Sequence, residues 1–177
     1  MADVLKEAVE AAKKKNVSTL VVASTSGKTA DNLFELAKGE KLNIIVVTHD
    51  EGKPAEERRF NEDIRRKLLA NNITVYTHNQ SFIFLRKVIN KLFGRFGFPR
   101  WYGHLRKAKE QYGSGIKVCY IITQMLIEGK VLRDARVVAI AGSKSGADSC
   151  GIFSIKPGNK WPVLEEVIIS NQGRFSI

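Results

Sequence analysis

Residues 17–30 read VSTLVVASTSGKTA. The opening part, 17–24, is short, apolar and rich in β-branched side chains, the composition of a strand buried on both faces. It runs straight into Thr25-Ser26-Gly27-Lys28-Thr29, and a helical stretch from Ala30 to Ala37 follows without a spacer. The same strand, loop and helix phrase recurs along the chain. LNIIVVT (42–48) ends in His49-Asp50-Glu51-Gly52, and Pro54 then stands where a first helical turn accepts it. ITVYT (73–77) ends in His78-Asn79, and RVVAIA (136–141) runs into Gly142-Ser143-Lys144-Ser145-Gly146-Ala147-Asp148. Strands alternating with helices pair in parallel through right-handed crossovers, which predicts a doubly wound, mainly parallel α/β sheet.

The remaining elements fit around that sheet. Val4, Leu5, Ala8, Val9 and Ala12 fall at helical spacing over 3–15, and Lys13 to Lys15 suit the negative end of a helix dipole. A helix over 55–70 is expected to bury Phe60, Ile64, Leu68 and Leu69, and an amphipathic helix is expected over 81–93. Residues 94–115 mix glycines, aromatics and cations, with helical character over 102–112. The apolar stretch 115–126 reads as a buried helix containing Cys119. Two last strands, 149–155 and 163–170, are joined by Lys156-Pro157-Gly158-Asn159-Lys160, which has the turn chemistry of an antiparallel link. At 177 residues, with no low-complexity linker, the chain reads as one α/β domain over 1–177.

Composition narrows the function classes. No apolar run approaches the roughly 18 residues of a membrane span, and the polar start lacks a signal-peptide core. Two cysteines, Cys119 and Cys150, with no paired-cysteine motif, disfavour a disulfide framework and a structural metal site. The expected compartment is the cytoplasm, and no metal is predicted. The net charge of +11 is uneven. Residues 86–117 hold nine Lys and Arg against the single acid Glu110, a field that favours phosphate-bearing partners. A solvated helix face is the plain alternative.

Ligands of doubly wound sheets bind beyond the carboxyl ends of the strands, where the strand order reverses. Both glycine- and hydroxyl-rich loops belong to such ends. In the first, a helix N-terminus offers unpaired amides and about half a unit of positive charge, and Gly27 lets the backbone approach an anion. Thr25, Ser26, Lys28 and Thr29 complete the cradle. In the plain reading Thr25 or Ser26 merely caps the helix. Gly27-Lys28-Thr29 is not a nucleoside-triphosphate loop, because that motif needs a glycine where Val22 stands. Gly142, Ser143, Lys144, Ser145 and Gly146 repeat the chemistry and would line the opposite wall. Asp148 is read as accepting from its own turn.

Catalytic machinery is harder to find. His49 and His78 follow strands and are candidates for the pocket rim, and His104 sits in the basic segment. None has an identified carboxylate or nucleophile partner, and no hydrolase or metallopeptidase motif occurs. Cys119 is assigned to packing, and Cys150 to a partly exposed position after the second loop. RFGFPRWYGHLRKAK (95–109) interleaves aromatics with cations. It is open between a lid that stacks Trp101 or Tyr102 on a planar ligand, a homo-oligomer interface through 94–112, and an RNA-binding surface.

Residues 21–30 resemble the strand and loop that open the α/β domain of pyruvate kinase, and 137–149, Ile155-Lys156-Pro157 and 163–169 resemble its later part. The likeness is to stand-alone proteins of that domain type and spans most of the chain. It implies a sheet ordered 3-2-1-4-5, with strands one and four adjacent, and a first loop that holds a phosphate of an activator. Pyruvate kinase activity is not implied, because that chemistry lives in a separate β/α barrel. The expectation is a binding domain for a phosphorylated small molecule, a mononucleotide such as FMN or a sugar phosphate. The rivals are an RNA- or protein-binding module on the 86–117 surface and an enzyme acting on a phosphorylated substrate.

Overall fold

The computed structural model describes residues 2–49, 60–78, 100–142, 146–159 and 161–171. The elements run α1 (Ala2–Lys14), β1 (Thr19–Ala23), α2 (Lys28–Leu36), β2 (Asn43–His49), α3 (Glu62–Ala70), β3 (Thr74–His78), α4 (Arg100–Glu128), β4 (Ala135–Ala141), β5 (Ser149–Ile155) and β6 (Val163–Ile169). The strands form one sheet in the order β3-β2-β1-β4-β5-β6. β1 to β4 are mutually parallel, while β5 and β6 add an antiparallel edge. This is the predicted doubly wound sheet, with β6 continuing the order outside β5.

Burial explains why the central strands read as unbroken apolar runs. Leu20 and Val22 face one side with Val46, Val138 and Ile140, and meet Leu5, Ala8 and Leu33 of α1 and α2. Val21 faces the other side with Ile45, Val137 and Ala139, against Ile116, Cys119, Ile122 and Leu126 of α4. Neighbouring strand residues thus bury on opposite faces, each fully buried Val, Leu or Ile contributing about 1.5–3 kcal/mol.

Three local expectations are corrected. The helix expected over 55–70 begins only at Glu62, because Asn61 is extended (φ −66°, ψ 124°) and its side-chain oxygen accepts from the Asp63 and Ile64 amides at 2.9 and 3.0 Å. Phe60 and Leu68 are buried, but Leu69 is 53% exposed, on the solvent side of α3. The break expected between helices over 102–112 and 115–126 is present: α4 is two helical halves that meet at Gly113, whose backbone is not helical (φ 88°, ψ 178°). The kink has a packing cause. A Cβ on Gly113 would overlap Asn171 Oδ1, and one on Gly115 would overlap Ser149 Oγ, so only glycines allow this approach. Cys150 is fully buried, since β5 lies between β4 and β6 with α1 over its face. The helix expected over 81–93 and residues 55–59 lie outside the described residues.

Candidate functional site

The first loop is built by its neighbours. Ser24 is buried, its amide donates to the Val47 carbonyl, and its Oγ accepts from the Ala30 amide at 3.4 Å. This hydroxyl reaches the first turn of α2 from inside the strand end. The position before the helix is Gly27 itself (φ 94°, ψ −22°), which provides no side-chain cap. A Cβ on Gly27 would also come within 3.1–3.3 Å of Ile64 and Phe60. From the α3 side, the Asn61 amide donates to the Ser26 carbonyl at 3.1 Å. The loop is therefore clamped between the end of β1 and the start of α3.

That clamping leaves a donor face. Among the described residues the amides of Gly27, Lys28 and Thr29 donate to no carbonyl or side chain, and the first backbone bond of the helix is Asp31 N–H to Gly27 O at 2.9 Å. Lys28 is exposed and Thr29 is buried. The acids of α2 are already engaged. Lys67 of α3 meets Asp31 at 2.6 Å and Glu35 at 2.7 Å. These hydrogen bonds raise the Lys67 ammonium above its ordinary range, and the bond from Lys67 holds the Glu35 carboxyl below its own. The positive end of the α2 dipole is left to act on whatever lies beyond it.

The second loop stands beside the first. Val22 is paired with Ile140, so the chain leaves β1 and β4 at the same edge of two adjacent parallel strands. Gly142 closes this loop, since a Cβ there would overlap the Gly146 carbonyl, and Gly146 has φ 82°. Ser143, Lys144 and Ser145 lie outside the described residues. Asp148 keeps to its own turn: its amide donates to Ala141 O at 3.0 Å, and its Oδ1 accepts from Ser149 Oγ at 2.8 Å. Ser149 Oγ in turn accepts from the Asn171 amide at 3.2 Å. A Cβ on Gly115 would lie 2.5 Å from Asp148 Oδ1, so the carboxylate sits against the start of the second half of α4. The two helix N-termini at this edge thus differ. The second half of α4 starts against the Asp148 carboxylate, whereas the first-turn acid of α2, Asp31, is held by Lys67.

The other candidates divide. His49 and His78 end β2 and β3 as paired neighbours at this same edge, one and two strands beyond β1. Trp101 and Tyr102 belong to the first turn of α4, ahead of its kink, and His104 is exposed. Both thiols are poor nucleophiles. Burial pushes Cys150 up to about 12, and burial with the nearby Cys150 and Asp148 charges pushes Cys119 well above its ordinary value. Among the described residues no three His, Cys, Asp or Glu side chains gather as metal ligands, and no helix is long and apolar enough to cross a membrane.

With the strand order and the adjacent ends of β1 and β4 in place, comparison with known families is direct. The family model of the pyruvate kinase alpha/beta domain matches residues 2–153. The chain belongs to that family. The match runs from α1 into β5 and includes both loops, while β6 lies beyond it. Within this pyruvate kinase alpha/beta domain, sequence reasoning missed the supports of the first loop: Ser24, Asn61 with Phe60 and Ile64, and the Lys67 pairs. One of these carries a local signal. Asn61-Glu62-Asp63 ahead of an apolar-periodic run is an N-cap followed by first-turn acids. Nothing local marks the approach of Asn171 and Ser149 to the α4 kink.

Proposed function

We propose that this pyruvate kinase alpha/beta domain protein binds a phosphorylated small molecule, a mononucleotide such as FMN or a sugar phosphate, at the carboxyl edge of β1 and β4. The phosphate would rest on the amides of Gly27, Lys28 and Thr29, with the Thr29 hydroxyl and Lys28 ammonium beside it. Gly142 to Gly146 would line the facing wall. The reading is carried by one observation: these amides, at the positive end of α2, donate to nothing among the described residues, while the acids of that helix are held by Lys67. Donors fixed in this way cost little reorganisation when an anion arrives. His49 and His78, at the ends of the neighbouring strands, would form the rim, and Trp101 or Tyr102 would serve a planar ring.

Thermal shift tests the reading. FMN or inorganic phosphate is expected to raise the melting temperature and riboflavin is not, since it lacks the phosphate. Lys28→Glu should reduce the FMN shift while leaving the unliganded melting temperature in place, because Lys28 is exposed. Equal shifts with riboflavin and FMN, or an unchanged FMN shift in Lys28→Glu, would remove the phosphate from this loop.

A further inference from the structure

Lys67 of α3 lies outside the first loop, but its ion pairs decide which charges the start of α2 presents. Asp31 stands in the first turn of that helix, three residues beyond Lys28 and so about 4.5 Å further along the axis at 1.5 Å per residue. Its carboxylate is 29% exposed and meets the Lys67 ammonium at 2.6 Å. One turn on, Glu35 meets Lys67 at 2.7 Å and has Lys38 as a second, looser partner at 4.0 Å. The same ammonium stands 5.4 Å from the centre of the Phe34 ring.

A first-turn carboxylate and an anion at the helix N-terminus feel the same field. Charges closer than the Debye length, about 8 Å at physiological ionic strength, act on each other with little screening by salt. With Lys67 in place the first-turn charge is balanced. Hydrogen bonding to Asp31 and Glu35 raises the Lys67 ammonium above its ordinary range, so the balance holds at neutral pH. Without Lys67, Glu35 would keep Lys38, but Asp31 would stand one turn from the Gly27, Lys28 and Thr29 amides as uncompensated negative charge.

We propose that Lys67 sets the anion affinity of the loop between β1 and α2 from outside it, as a positioning residue that neutralises Asp31. The inference rests on the phosphate reading of that loop and adds to it a residue that touches no ligand. The plain rival is a strap: Lys67 joins α3 to α2, and losing it would loosen the loop's footing on Phe60 and Ile64. The two accounts differ in sign at Asp31. A strap is cut by Lys67→Met and by Asp31→Asn alike, so both would weaken binding. Charge balance predicts opposite effects: Lys67→Met leaves a free carboxylate beside the anion and weakens binding, while Asp31→Asn removes that carboxylate, leaves the ammonium and tightens it.

The test is a titration of the whole isotope-labelled protein with inorganic phosphate at low salt, read at the Gly27, Lys28 and Thr29 amides. Lys67→Met should bind about two- to fivefold more weakly than wild type, the effect of one charge at a helix terminus. Asp31→Asn should bind more tightly, and Lys67→Arg like wild type. Lys13→Met is the control for net charge: it cuts an ion pair of the same length, to Glu40 at 2.6 Å, ahead of β2 at the amino edge of the sheet, and should leave the affinity in place. Near 1 M salt, where the Debye length is about 3 Å, Lys67→Met and wild type should converge. Equal low-salt affinity of Lys67→Met and wild type, or an Asp31→Asn protein that binds no more tightly, overturns this inference while the phosphate site stands. Failure of the three wild-type amides to respond overturns the phosphate reading and this inference together.

Discussion

Replacing Gly27 by alanine isolates what the fold itself demands of the first loop. The native φ of 94° is a conformation that L residues adopt at a cost of about 1–2 kcal/mol. The new Cβ would also stand 3.1 Å from Ile64 Cγ2 and 3.2 Å from Phe60 Cε1. Phe60 is only 2% exposed, so the ring has little room to retreat. Overpacking of this kind costs about 1–3 kcal/mol. The sum is ~2–5 kcal/mol, which at roughly 2–4 °C per kcal/mol for a chain of this size lowers the melting temperature by ~4–20 °C. The assay is a thermal melt followed by circular dichroism without ligand, with Lys28→Ala as the surface control expected to move little. A Gly27→Ala protein melting within a degree or two of wild type would refute the reasoning: the loop would not be clamped against α3. The effect also means that a Gly27 variant is a poor probe of ligand binding, because it perturbs the packing on α3 and the amides together.

Three further outcomes follow from the same geometry. Asn61→Ala removes the oxygen that accepts from the Asp63 and Ile64 amides, and should cost about 0.5–2 kcal/mol in urea denaturation; no loss would mean the start of α3 is held by packing alone. Ser149→Ala deprives the Asn171 amide of its acceptor and Asp148 of its donor at a buried position, and should cost about 1–3 kcal/mol, again read as a shift in the urea midpoint. Stability should fall at high pH. Burial raises Cys150 from 9.0 to about 12 and Cys119 in the same direction, so below pH 9 native and unfolded thiols are both protonated. Between 9 and about 12 only the unfolded Cys150 ionises, removing roughly 1.4 kcal/mol per pH unit. Denaturation midpoints of wild type and Cys150→Ala from pH 8 to 11 check this, and parallel curves would contradict it.

The sheet was legible because its strands are buried on both faces. The runs around Leu20 to Val22, Ile44 to Val47 and Val137 to Ile140 have no polar residue to break them, and the glycine-bearing loops mark where two of them end. The carboxyl-edge location of those loops followed from parallel topology alone. What the sequence hid is tertiary. Ser26 reads as a cap, but its carbonyl is taken by the Asn61 amide while Ser24 reaches the helix from inside the strand end. Gly113 reads as a break and is one, but nothing local shows that Asn171 and Ser149 press against the backbone at Gly113 and Gly115. Cys150 reads as partly exposed, but β4, β6 and α1 enclose the start of its strand. Each miss concerns a partner distant in the chain, which periodicity does not encode.

The most direct measurement is a titration of isotope-labelled protein with inorganic phosphate and with FMN, followed by amide nitrogen–proton correlation spectra. The amides of Gly27, Lys28 and Thr29 are expected to move furthest, to move alike with both ligands, and to saturate with one dissociation constant for each. If those three signals stay in place while others respond, the N-terminus of α2 is not a phosphate site.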